Sequence, residues 1–205
     1  DDEGVLLDEL EAVFKEKPKF FYLTPDFCNP AGVTTSLARR QAILKLAHQY
    51  GVYIVEDSPY EELRYENPRI PSFSALEAEY LKQPGADQRR LVIYVGSLSK
   101  ILTPALRIGW IAADPALINK LVLVKQASDL HCSTINQMIA CELAKSSHAS
   151  QVVKLRKVYK ERRDAMLAAL EQSFPKEVSF TRPDGGMFIW LEFPEGIDGT
   201  QLLEE

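Results

Sequence analysis

Lys19-Phe20-Phe21-Tyr22-Leu23-Thr24-Pro25-Asp26-Phe27-Cys28-Asn29-Pro30-Ala31-Gly32 and, one helix pattern later, Val52-Tyr53-Ile54-Val55-Glu56-Asp57 decide the fold. The run from Lys19 to Leu23 is short and apolar, fit for a buried strand. Thr24 to Gly32 reads as a turn-rich loop, with two prolines, an Asn-Pro step and a glycine. Thr35 or Ser36 is placed to cap a helix that runs to about Tyr50 and stops at Gly51. Val52 to Val55 is again an apolar strand, ending on Glu56-Asp57. The product is a strand-helix-strand unit of the parallel type with polar residues at both carboxyl ends, the edge where open α/β sheets bind ligands.

Working outward, Val5 to Phe14 has apolar residues at helical spacing and is closed by Lys15, Lys17 and Pro18. Downstream, Leu91 to Val95 is a β-branched strand that runs straight into Gly96-Ser97-Leu98-Ser99-Lys100, and Ile108 to Ala112 follows Arg107 as another. Helices are predicted from Asp114 or Pro115 through Val124 and from Asn136 to Lys145. The polar stretch Glu77 to Arg90, with Pro84-Gly85, reads as a surface excursion. Gln151 to Gln172 is a long, charged, amphipathic helix pattern. Val178-Ser179-Phe180 and Met187 to Phe193 then read as strands flanking Asp184-Gly185-Gly186. The expected fold class is α/β, a mostly parallel sheet with helices on both faces. Residues 1–150 form part of a large domain, 151–174 a connecting helix, and 175–205 the start of a small α+β domain. The chain opens on Asp1 and closes on a helix pattern just under way, so it reads as a piece of something longer.

The 205 residues are 46% hydrophobic and 26% charged, the balance of a globular chain with material for a sizeable core. A net charge of −5 without a basic run gives no pull toward nucleic acid or anionic membrane. Cys28, Cys132 and Cys141 are too few and scattered for a disulfide framework, and none forms a CxxC pair, so no metal site is expected. A reducing, cytoplasmic setting is the simple reading. No apolar run reaches membrane-spanning length. His48 reads as a partly exposed helix residue and His131 as buried or capping. Cys28 reads as a small filler, and Tyr50, Tyr53, Tyr80 and Tyr159 as packing residues.

Three strand ends carry distinct chemistry: an amide at Asn29, a carboxylate at Asp57 with a phenol at Tyr60, and hydroxyls with an amine at Ser97, Ser99 and Lys100. Arg107 follows across a Pro104 turn. Singly, each has an ordinary explanation as a cap, a turn former or a solvated side chain. Together they resemble a known family. Pro25-Asp26-Phe27-Cys28-Asn29-Pro30-Ala31-Gly32 resembles the Asn-Pro-x-Gly loop of fold-type I enzymes that use pyridoxal 5'-phosphate (PLP). Glu56-Asp57-Ser58-Pro59-Tyr60 is similar to their Asp-x-x-Tyr segment. Gly96 to Gly109 resembles their lysine motif, with Ala105 where glycine is more usual. Gly185-Gly186-Met187-Phe188-Ile189-Trp190 resembles the strand that opens their small domain. Lys125-Gln126-Ala127-Ser128-Asp129-Leu130-His131 is most similar to the class I/II branch that contains 2-aminoadipate and kynurenine aminotransferases.

The resemblance implies a PLP-dependent aminotransferase that moves an amino group between an amino acid and a 2-oxo acid, working as a homodimer. Lys100 would form the Schiff base with the cofactor and carry the Cα proton. Asp57 would pair with the pyridine nitrogen, and Tyr60 and Asn29 would donate to the ring oxygen. Ser97, Ser99 and Arg107 would hold the phosphate. The same residues serve two other readings: the aminotransferase-like effector domain of a transcription regulator, and another fold-type I reaction such as a β-lyase.

Overall fold

In the computed structural model, which describes residues 1–204, the chain opens with α1 (Leu7–Lys15) and then lays down β1 (Phe20–Leu23). Next come α2 (Leu37–Tyr50), β2 (Tyr53–Asp57), α3 (Phe73–Tyr80) and β3 (Val92–Ser97). A 3-10 turn at Pro104–Leu106 leads into β4 (Gly109–Ala112). Three helices follow, α4 (Pro115–Asp129), α5 (Thr134–Ser146) and α6 (His148–Ser173). The chain ends with a two-stranded antiparallel sheet, β5 (Ser179–Phe180) with β6 (Leu191–Glu192), and a short α7 (Gly199–Glu204).

The main sheet has the order β1-β2-β3-β4. Its first two pairings are parallel and the β3–β4 pairing is antiparallel, so the sheet is mostly parallel. The strand-helix-strand unit forms where the sequence places it. Ser36 caps α2, its Oγ accepting from Arg39 N at 3.3 Å, and Gly51 ends the helix at φ 72°, a left-handed turn that suits glycine.

Strand alternation decides which side is covered. Ile54 and Val92 share one face, and Leu10, Phe14, Ile43, Leu44, Ala47 and Phe73 from α1, α2 and α3 close over it. Helices were expected on both faces. The opposite face bears Phe20, Tyr22, Tyr53 and Ile111, all exposed among the described residues. β1 is therefore covered on one side only, where the partly buried Phe21 and Leu23 pack against the core. A second apolar cluster of Phe27, Tyr60, Leu63, Ile101 and Val152 joins the loops at the strand ends to α6.

Three local expectations are corrected. The polar stretch from Glu77 is a surface excursion only beyond α3: Glu77 itself is buried within the helix, whereas Lys82 to Gly85 and Gln88 to Arg90 are exposed. Glu56 Oε1 and Oε2 accept from Phe73 N (2.8 Å) and Ser74 N (3.0 Å), capping α3. Glu77 Oε1 in turn accepts from Leu91 N (2.6 Å) and Val92 N (3.1 Å) at the start of β3. His48 is buried rather than half-exposed, its ring 4.3 Å from that of Tyr80 and its Nε2 3.4 Å from Glu77 Oε1. Burial pushes the imidazole below its ordinary pKa. His131, by contrast, is exposed, with Nδ1 2.8 Å from the Cys132 carbonyl.

Candidate active site

The loop after β1 is fixed by buried charge. Asp26 Oδ1 lies 2.9 Å from both Arg40 Nη2 and Arg64 Nη2, and all three residues are buried. Arg40 also donates to the carbonyls of Thr35 (3.0 Å), Pro71 (3.1 Å) and Pro25 (3.1 Å), so its guanidinium is bonded on every side. The loop closes on itself through Cys28 N to Val33 O (2.9 Å) and Thr35 N to Pro25 O (2.8 Å). Such a network holds the short segment carrying Asn29 against thermal drift.

Asn29 meets Asp57 and Tyr60 at a cavity of about 500 Å³, whose lining also includes Tyr22, Thr24 and Cys28. Tyr22 Oη donates to Asp57 Oδ2 at 2.5 Å, a contact that pushes the phenol's pKa up. Burial raises the Tyr60 phenol's pKa, and the neighbouring Asn29 amide opposes that shift. The Tyr60 ring meets Phe188 edge-on at 5.7 Å. Burial also pushes the Cys28 thiol up, away from the thiolate form that a reactive cysteine needs.

Lys100, Ser97, Ser99 and Arg107 form a second group at the end of β3, outside the lining of that cavity. Register brings the two groups to one edge. Asp57 pairs with Val95, Ser58 N donates to Val95 O at 2.9 Å, and β3 runs two residues further to Ser97. Ser99 N donates to Ser97 Oγ (3.1 Å), and Leu102 N to Leu98 O (2.9 Å), so the lysine sits in a tight hydrogen-bonded turn. Leu98 and Ile101, on either side of Ser99-Lys100, pack into the same cluster as Tyr60. Arg107 adopts φ 56°, is exposed, and donates to Pro104 O at 3.4 Å. Gly96 is required by contact: a Cβ there would run into the Trp110 indole across the β3–β4 pair.

The small sheet reaches the site through its leading turn. Gly185 bridges Arg64, Gly186 N donates to Leu63 O at 2.9 Å, and Tyr65 N donates to Asp184 O at 2.8 Å. A Cβ on Gly185 would strike Leu63 O and the Phe27 ring, so glycine lets this turn lie against the Asn29 loop. The sequence reading missed Tyr22, Asp26, Arg40 and Arg64. Tyr22 had a signal, since parallel pairing of β1 with β2 puts it opposite Val55, on the same face as Asp57. The buried arginines had none.

The model of the aminotransferase class I and II family matches residues 1–204. The chain belongs to this family. A 2-aminoadipate transaminase from Thermus thermophilus is 44% identical over 98% of this chain and 49% of its own length. The crystal structure of LysN, an alpha-aminoadipate aminotransferase from Thermus thermophilus complexed with N-(5'-phosphopyridoxyl)-L-leucine, superposes with a TM-score of 0.92. It is 41% identical, and the match covers 100% of this chain and 51% of that one. The transcriptional regulator NorG of Staphylococcus aureus, of the helix-turn-helix type, is 33% identical over 92% of this chain and 40% of its own length. The chain thus spans about half the length of the curated relatives it matches. Among the described residues no group of three or more His, Cys, Asp or Glu side chains could hold a metal ion. No described helix is long and apolar enough to cross a membrane.

Proposed function

We propose that this chain supplies the PLP-holding part of an aminotransferase that moves an amino group between an amino acid and a 2-oxo acid. The observation that carries the reading is the convergence of Asn29, Asp57 and Tyr60 on one cavity of about 500 Å³, at the strand edge that β3 extends toward Lys100. The donor set fits PLP: a carboxylate for the pyridine nitrogen, a phenol and an amide for the ring oxygen, hydroxyls and a guanidinium for the phosphate, and an amine for covalent attachment. The volume lies within the usual range of small-ligand sites.

When bound, PLP supplies an electron sink for the substrate's Cα carbanion. The chain's own residues do the rest. Asp57 would hold a proton on the pyridine nitrogen. Tyr60 and Asn29 would donate to the ring oxygen. Ser97, Ser99 and Arg107 would hold the phosphate, and the Lys100 amine would be the group that accepts the substrate's Cα proton and gives it back. We read residues 1–150 as part of the PLP-binding domain, 151–174 as the connector and 175–205 as the opening of the small domain. We also read the protein as a cytoplasmic homodimer. The exposed apolar residues Leu123, Val124, Leu130, Ile135 and Met138 along α4, the following turn and α5 support the pairing.

The test is to load the protein with PLP and screen amino acids against 2-oxoglutarate for glutamate formation. Transfer from at least one donor, lost in Lys100→Ala, is the expected result. Failure of every donor in protein that has bound PLP would contradict the reading. The relationship to NorG favours a second reading, in which the same site binds PLP as an effector of a regulator. Sequence-specific DNA retention that responds to PLP, without turnover, is the result that selects it.

A further inference from the structure

We infer that Tyr22 is a positioning residue for the reaction, holding the Asp57 carboxylate in one orientation and sharing its charge, so that the proton opposite Asp57 stays on the cofactor's ring nitrogen. The inference rests on the PLP reading above and adds a residue that the lysine, aspartate and asparagine motifs do not contain.

Three observations carry it. Tyr22 Oη donates to Asp57 Oδ2 at 2.5 Å, and both residues line the same cavity. The bond is built by the sheet, since Tyr22 pairs with Val55 on the adjacent parallel strand and Asp57 lies two residues further along the same face. It also differs in use from the other two tyrosine–carboxylate bonds among the described residues. Tyr50 with Glu11 (2.7 Å) and Tyr94 with Glu61 (2.8 Å) are longer, and their residues do not line this cavity.

An O–H···O⁻ bond this short is charge-assisted, and it spends one of the carboxylate's two oxygens. Oδ1 is left for the ring nitrogen, which fixes the direction from which Asp57 approaches. It also spreads the negative charge, so Asp57 competes less strongly for the proton it shares. Without the phenol the carboxylate can rotate and becomes the better base. The shared proton then moves toward oxygen and the ring withdraws electrons less well.

The experiment uses the PLP-loaded protein carrying ¹⁵N at the cofactor's ring nitrogen, with Tyr22→Phe compared against wild type and against Asp57→Asn. Tyr22→Phe keeps the ring in the sheet, and a thermal melt verifies the fold. The ¹⁵N resonance is expected to move from the protonated position part of the way toward that of Asp57→Asn, with kcat reduced about tenfold. If Asp57→Asn moves the resonance and Tyr22→Phe leaves it at the wild-type position, the inference is overturned while the PLP reading stands. If wild type takes up no PLP at Lys100, the reading itself fails and this inference falls with it.

Discussion

Glu56 and Asp57 are adjacent carboxylates on one strand, and their fates differ completely. Glu56 points into the covered face, where it is fully buried and accepts from two backbone amides at the start of α3. Asp57 points to the opposite face, at the cavity, and accepts from Tyr22. Strand geometry alone makes the division, because successive side chains leave a strand on opposite sides. One carboxylate holds a helix to the sheet and the other faces the cavity. Burial shows the same split: desolvation pushes the Glu56 pKa up from 4.5 to about 7 despite its two amide donors.

The contrast yields separable outcomes. Asp57→Asn should lower turnover by about 10³-fold, roughly 4 kcal/mol of barrier, while leaving the melting temperature within a degree or two. A large loss of stability in that variant would erase the distinction. Glu56→Ala should do the reverse. It strands two amides at the α3 start and opens a cavity, at a cost of about 3 kcal/mol near pH 5, read by urea unfolding. That cost should shrink by pH 7.5. A carboxyl whose folded pKa lies above its unfolded value contributes fully below pH 4.5, and the contribution is lost as pH rises through about 7. Wild-type stability should therefore fall across that window, and Glu56→Gln should flatten the fall. The smallest effect is expected for Glu77→Gln, which keeps an acceptor for Leu91 N and Val92 N but gives up its charge: about 1 kcal/mol.

Legibility in the sequence followed the same divide. The β1-α2-β2 unit was readable because its signals are local: apolar runs, a serine at the helix start and a glycine at its end. The α3 segment was not, because its hold on the sheet is made by Glu56 and Glu77, and composition reads buried carboxylates as solvated ones. The strand expected over 187–193 shrinks to Leu191–Glu192, and just before it Trp190 N donates to the Thr181 hydroxyl instead of a partner carbonyl. In the candidate site, Asn29, Asp57 and Tyr60 were found by motif and are brought together. Tyr22 was hidden inside an apolar run, and the Arg40–Asp26–Arg64 clamp depends on side chains that meet only after folding.

The most direct test of the central claim is the visible absorbance of the protein after incubation with PLP and removal of free cofactor. Wild type should show a band from lysine-bound PLP, which disappears in Lys100→Ala and persists, shifted, in Asp57→Asn. No band in wild type, or an unchanged band in Lys100→Ala, would contradict it.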